Sequence, residues 1–445
     1  MNLQPKNRLI RNWIPYQSEP GLIIYKNRLK WNYIPERTYY MYIQRHAEQA
    51  LRKLVNNFKA VLITGPRQVG KSTMLKEMYG NEYRYVTLDD INELEIAKND
   101  PKLFFLNHPG KLIIDEVQYS PELFKEIKRL VDRSNDYGRF ILTGSQTYSL
   151  MQNVSESLAG RVGIMELKPL STREILRQDK RVSFKPSLDR IQQNHQEPSY
   201  EEIWQIIHRG SLPELYRKPD LDWGMYYSSY VTTFLQRDVR QLTAIQDLST
   251  FSRFISVLAA RTSQELNYAS IAREVGVDQK TIKAWVGILN AAGIVYIIPS
   301  FSNNHLKRVI KSPVLYFFDT GLVAYLGRWT SPETLRNGAF SGAILENYCV
   351  SEIIKSYSNL GVTNYPLYFY RDKDMKEIDL IIEEAGKLYP IEIKHSASPK
   401  LSMVKNMAVL DKAQGYTVEL QTILAQVEKS YLLTEDTLVS PIASI

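Results

Sequence analysis

Five short apolar runs punctuate the first part of the chain, at residues 60–64, 83–88, 111–114, 139–142 and 162–167, with helically spaced stretches between them. Runs of this length that end in polar tips predict buried strands, and strands alternating with helices predict a parallel sheet covered on both faces. Ahead of them Ile43, Ala47, Leu51, Leu54 and Val55 recur on one face, which predicts an amphipathic helix starting at Met41. Residues 178–200 are polar, rich in Gln, Lys and Pro, and read as a linker. Beyond Tyr226 the pattern is helical. Phe251, Phe254, Ile255 and Leu258 share one face, residues 270–275 form a second helix closed by Gly276, and Asp278 caps a third that buries Ile282, Trp285, Val286 and Leu289. A strand over 294–298, returning through Leu306 to Phe318, completes a winged-helix pattern. Near the C-terminus the period falls to two, over 377–382 and 388–394, around a turn at Ala385-Gly386.

Composition narrows the class. At 445 residues the chain exceeds one core and should form two or three domains. No apolar run reaches the roughly 20 residues of a membrane helix, and the N-terminus lacks the apolar stretch of a secretory signal. No membrane association is therefore expected. The single cysteine, Cys349, excludes an internal disulfide and a cysteine-based zinc site, which suits the cytoplasm. The net charge of +8 points toward nucleic acid, but residues 1–40 hold seven Lys/Arg against two Glu, a surplus of +5 that leaves +3 for everything else. That segment is either a basic arm for nucleic acid or a partner, or an extension upstream of a start at Met41; the second reading is the simpler.

Between the first strand and the helix after it stands Gly65-Pro66-Arg67-Gln68-Val69-Gly70-Lys71-Ser72, followed by Thr73. This fits the phosphate-loop pattern G-x-x-x-x-G-K-[ST] in the strand–loop–helix context that its chemistry requires. Backbone N–H groups of the loop and the helix N-terminus would cradle the phosphates, Lys71 would reach the β/γ-phosphates, and the Ser72 hydroxyl would ligate Mg²⁺. The third strand ends in Asp115-Glu116. Asp115 would hold Mg²⁺ with Ser72, and Glu116 would orient and polarise the attacking water. Ser145, with Thr143 as the alternative, would sense the γ-phosphate from the end of the fourth strand. Arg161, in Leu158-Ala-Gly160-Arg161, is a candidate finger for transition-state charge in its own site or a neighbour's.

The residues at 65–72, 112–118, 141–145 and 158–162 resemble a family of prokaryotic AAA-superfamily ATPases whose ATPase domain is fused to a C-terminal domain of largely unassigned function. The resemblance runs from about residue 41 to the end and implies ATP and Mg²⁺ as cofactors. His208-Arg-Gly210-Ser211-Leu-Pro213-Glu214 departs from the Gly-Gly-Phe-Pro-Glu of that family, which questions the local turn.

Two further places carry chemistry. On the third helix of the winged-helix pattern Gln279, Lys280 and Lys283 face outward, which suits either a DNA groove or a protein-docking surface. At the C-terminus Asp379, Glu392 and Lys394 form a D…E-x-K pattern, to which Glu346 could be delivered by an upstream helix. Restriction-endonuclease-like folds hold Mg²⁺ with such carboxylates, so Glu346, Asp379 and Glu392 are candidate ligands of a second Mg²⁺ beside Lys394. The resembling family carries this same module. The same alternation also describes a half-exposed hairpin with paired charges. The expected layout is an N-terminal extension (1–40), an α/β AAA-type P-loop domain (41–177), a linker (178–200), a helical and winged-helix domain (201–312) and an α+β endonuclease-like domain (313–445). Expected partners are nucleotide, with DNA or a protein at the C-terminal half; oligomerisation stays open.

Overall fold

Strand alternation decides which side of the first sheet each residue faces. The computed structural model describes residues 42–144, 148–179, 181–192, 197–234, 248–302 and 312–445, all within one compact unit, Tyr40–Ile445. The strands β1 (Ala60–Thr64), β2 (Arg84–Thr87), β3 (Leu112–Asp115), β4 (Phe140–Thr143) and β5 (Val162–Glu166) form one parallel sheet in the order β2-β3-β4-β1-β5. Ala60 and Leu62 join a buried cluster with Leu112, Ile114, Phe124 and Phe140, whereas Val61 and Ile63 join another on the opposite face. A central parallel strand buried on both sides must be apolar throughout, as 60–63 is. The helices α1 (Glu48–Asn57), α2 (Lys71–Tyr79), α3 (Ile91–Asn99), α4 (Pro101–Asn107), α5 (Leu123–Arg133) and α6 (Tyr148–Leu158) connect or flank these strands.

The first helix starts at Glu48 rather than at Met41. Residues 42–47 are pinned in another conformation: Tyr42 Oη and the Arg45 N–H both donate to Glu48 Oε1, at 2.9 and 3.0 Å, and the His46 N–H donates to Glu174 Oε1 at 2.7 Å. Side chains thus satisfy the amides that a longer helix would have used.

The cluster containing Val61 and Ile63 continues through Ile203, Trp204, Leu258, Ile353 and Ile391, so one core runs from the first sheet to the C-terminal part. Polar ties reinforce it. From α7 (Thr172–Ile175), the Thr172 N–H donates to Glu352 Oε2 at 2.7 Å, and Lys355 Nζ donates to the Leu170 carbonyl at 3.0 Å. Within the segment read as a linker, Phe184 is fully buried and its N–H donates to Ser356 Oγ at 2.8 Å.

The middle of the chain is helical: α8 (Tyr200–Arg209), α9 (Pro213–Arg217), α10 (Trp223–Phe234), α11 (Leu248–Ala259), α12 (Tyr268–Val275) and α13 (Gln279–Ala291). Gly276 ends α12 in a left-handed conformation, and Asp278 caps α13 by accepting from the Thr281 N–H at 2.9 Å. A three-stranded antiparallel sheet, β6 (Gln264–Glu265), β7 (Val295–Ile298) and β8 (Val314–Phe317), ordered β6-β8-β7, accompanies them. Leu306, on the predicted strand return, lies outside the described residues. After α14 (Thr320–Leu326) and α15 (Pro332–Asn337), the long helix α16 (Ser341–Ser358) leads to a mixed sheet. Its strands are β9 (Leu367–Arg371), β10 (Glu377–Glu384), β11 (Lys387–Ile393), β12 (Thr417–Val418), β13 (Gln421–Ala425), β14 (Tyr431–Thr434) and β15 (Thr437–Pro441). The order is β14-β15-β13-β11-β10-β9, with β12 on β11. Among the described residues no helix is long and apolar enough to cross a membrane.

Candidate functional site

The phosphate-loop sequence leaves β1 at its carboxyl end and enters α2 directly at Lys71. Gly65 opens it with φ of +136°, and a Cβ there would lie 2.2 Å from the Leu167 carbonyl oxygen, so only glycine fits where the loop passes β5. The Lys71 ammonium is folded into the loop, donating to the Gly65 and Pro66 carbonyls at 2.9 and 2.8 Å. Gln68 has φ of +61°, and its Oε1 accepts from Tyr226 Oη on α10 at 2.6 Å, while Pro213 of α9 comes within 3.8 Å of where a Gly70 Cβ would stand. The helices after the first sheet therefore reach the loop.

The loop meets the tip of β3. Ser72 Oγ donates to Asp115 Oδ2 at 2.8 Å, and the hydroxyls of Tyr85 and Thr143 also donate to the Asp115 carboxylate. Burial and then the hydrogen bond to Asp115 push the Tyr85 hydroxyl above its usual pKa, so it stays a donor. Mg²⁺ takes hard oxygen ligands, commonly one or two from protein with phosphates and water completing the shell. The Ser72–Asp115 pair fits that demand. Glu116 adopts φ of +59°, its N–H lies 3.4 Å from Thr143 Oγ1, and its carboxylate accepts from the Gln118 side-chain amide. Tyr85 and Gln118 were not singled out in the sequence: one resembles any half-buried strand position, the other any residue after an acidic pair.

Thr143 is thus at the site, while Ser145 lies outside the described residues. Arg161 is not brought there. It immediately precedes β5, and since all strands are parallel this puts it at the opposite edge of the sheet, across the whole length of β5 from the loop. Its guanidinium holds Asp132, at 2.5 and 3.1 Å. Replacing it in the Arg161→Ala variant should leave ATP turnover by the isolated chain within about twofold of native, read by phosphate release.

A family model described as an AAA domain matches residues 57–176, which contain the loop, Asp115 and Glu116. Two models described as domains of unknown function, DUF8612 and DUF4143, match 200–333 and 341–445. An uncharacterized protein of Mycobacterium tuberculosis is 31% identical over 369 residues, covering 83% of this chain and 77% of its own length. The chain belongs to a prokaryotic family of AAA-superfamily ATPases. An uncharacterized protein of Methanocaldococcus jannaschii is 24% identical over 355 residues, covering 74% of this chain and 73% of its own. Among solved structures, the Walker-type ATPase of Pyrococcus abyssi aligns with 63% of this chain and 94% of its own at 15% identity and a TM-score of 0.38.

Beyond the AAA domain the structure brings the C-terminal candidates near one another. The Asp379 carboxylate accepts from the Ile393 N–H at 2.7 Å, and Lys394 Nζ lies 3.7 Å from Asp379 and 2.5 Å from Glu392. Glu346, on α16, accepts from Tyr316 Oη at 2.8 Å. Burial and the Asp379 charge push Glu346 well above the usual carboxylate range and Glu392 up to about 8. β11 has β10 on one side and β13 on the other, and Glu392 is only 6% exposed, so this is not a half-exposed hairpin with solvated charges. Glu392 Oε2 has no hydrogen-bond partner among the described residues. Among the described residues, however, no three His, Cys, Asp or Glu side chains are gathered closely enough to hold a metal ion, and Lys394 bridges Asp379 and Glu392 instead. On α13, Gln279, Lys280 and Lys283 are exposed.

Proposed function

We propose that the chain binds MgATP at Gly65–Ser72 and hydrolyses it, and that the nucleotide state alters a C-terminal half that docks DNA or a protein. The observation that carries this reading is the meeting of Ser72 and Asp115 at 2.8 Å, with Glu116 next in sequence and Thr143 beside both. Ser72 and Asp115 would hold Mg²⁺, which neutralises charge on the transferred phosphoryl group when bound. Lys71 would exchange its two loop carbonyls for phosphate oxygens. Glu116 would orient the attacking water, and Gln118, which donates to its carboxylate, would set its direction. The buried ties of α7 to α16 give nucleotide-dependent movement a route to the C-terminal half.

The test is Mg²⁺-dependent phosphate release from ATP, with and without duplex DNA. In the Glu116→Gln variant ATP binding should stay near native while turnover drops by about 10²-fold or more, because shape is kept and the polarising charge is lost. Stimulation by DNA would identify the partner of the second half. We read α11, α12 and α13 with β6–β8 as a winged helix, and Lys280 and Lys283 as its phosphate contacts. Binding to DNA should then weaken steeply with salt. Salt-insensitive binding to a protein would instead support a docking module switched by nucleotide.

A second reading is an ATP-gated nuclease, favoured by the buried Glu392 Oε2, which has no partner among the described residues, beside Asp379 and Lys394. Mg²⁺-dependent nicking that disappears in Asp379→Ala and Lys394→Ala would support it; its absence in the native chain would remove it.

A further inference from the structure

The loop is gripped from behind by a residue that precedes the first sheet altogether. Arg45 is 2% exposed, and its guanidinium donates from Nη1 to the Val69 carbonyl at 2.7 Å and from Nη2 to the Lys168 carbonyl at 2.7 Å. Its Nε donates to Glu174 Oε1 at 3.0 Å. Glu174 is fully buried and held in turn by the backbone N–H groups of His46 and Ser171, both at 2.7 Å. The fork therefore bridges the phosphate loop and the exit of β5 from a seat that cannot swing.

Val69 and Gly70 share one peptide plane. In a trans peptide the C=O and the next N–H point in opposite directions and cannot turn independently. Fixing the Val69 oxygen on Arg45 therefore fixes the Gly70 N–H to face away from Arg45. Amides of such loops are the groups that bind phosphate, and each must be aimed before the ligand arrives.

We propose that Arg45 is a positioning residue of the nucleotide site, locking the Val69–Gly70 peptide so that the loop presents its amide to a nucleotide phosphate. This rests on the reading of Gly65–Ser72 as that site. Arg45 is buried behind the loop and would act through the Val69 carbonyl. A planar fork that spans two carbonyls suits arginine; a lysine ammonium has no such geometry.

Three variants of the full chain separate this role from plain structural pairing. Glu174→Gln weakens the ion pair but leaves the fork on Val69 and Lys168. Arg45→Lys keeps a charge but cannot span both carbonyls. Arg45→Leu/Glu174→Leu removes both buried charges together, so that neither is stranded. Calorimetry with ADP and Mg²⁺ reads affinity, a melt without nucleotide reads stability, and ATP kinetics read kcat and KM. Glu174→Gln should melt lower than native yet bind ADP within about twofold, whereas Arg45→Lys and the double variant should bind ADP about tenfold more weakly, the size of one charged hydrogen bond. KM for ATP should rise by a similar factor with kcat nearly unchanged. If the double variant folds and binds ADP like the native chain, or if Glu174→Gln loses as much affinity as Arg45→Lys, Arg45 is only half of a structural pair and the proposal fails. If the native chain binds no ADP, the nucleotide reading is overturned and this inference with it.

Discussion

Replacing Lys71 by alanine is expected to lower Mg²⁺-dependent ATP turnover by at least about 10²-fold, the usual cost of deleting one aimed charge from a phosphoryl-transfer site. The side chain is 8% exposed and donates to two carbonyls of its own loop, at 2.9 and 2.8 Å. The sheet behind the loop is held by apolar clusters to which Lys71 does not belong. The circular dichroism spectrum and melt should stay close to native, so a dead variant can be read as a chemical defect. Affinity for ADP should fall less than turnover, since ADP lacks the γ-phosphate that Lys71 would meet and the charge on the leaving oxygen develops only in the transition state. Turnover at the native rate would remove the ATPase reading entirely.

Much of the AAA domain was legible because its signals are local. An apolar run, a loop with two glycines and a helix start lie within fifteen residues, and the second acidic motif repeats the strand-then-polar-tip pattern. What escaped is long-range. Arg45 looks like one more polar residue on an amphipathic helix until the chain folds Val69 and Lys168, 24 and 123 positions away, onto its guanidinium. Tyr226 meets Gln68 across 158 positions. For Arg161 the structure bears on one alternative, the site of its own chain, and not on a neighbour's. Proximity in sequence to the sensor strand suggested proximity in space, yet any residue that enters a parallel strand stands at the edge opposite the residues that leave it, and Asp132 is its neighbour there. The parallel pattern already contained that answer. The C-terminal carboxylates were legible as a group but not as a buried one, since alternation alone does not tell a central strand from an edge.

The Gly210→Ala variant should be strongly destabilising, costing about 4 kcal/mol or more, the range of buried steric conflict joined to backbone strain. Gly210 ends α8 with φ of 87° and ψ of −165°, a region open essentially only to glycine. A methyl group there would lie 2.0 Å from Tyr227 Oη, 2.4 Å from Asp319 Oδ1 and 2.9 Å from the Gly321 Cα. None of these can step aside. Asp319 is fully enclosed, its carboxyl pushed up by burial, and it accepts from the Ser211 N–H at 2.8 Å and from Tyr227 Oη at 2.6 Å. Gly321 is backbone of α14, and a methyl on it would in turn be 2.6 Å from the Gly210 Cα. So the turn questioned by the departure from Gly-Gly-Phe-Pro-Glu does form, with Pro213 at the first position of α9. It also bears on the nucleotide site, because the Ser211 carbonyl accepts the Leu170 N–H at 2.8 Å and Pro213 approaches Gly70. Gly287→Ala is the control. That glycine sits inside α13 with open space around it, and alanine there should stabilise by about 1 kcal/mol through helix propensity alone. Thermal melts of the two variants should move in opposite directions; a Gly210→Ala melt near native would mean that α8 and α14 do not pack glycine against glycine.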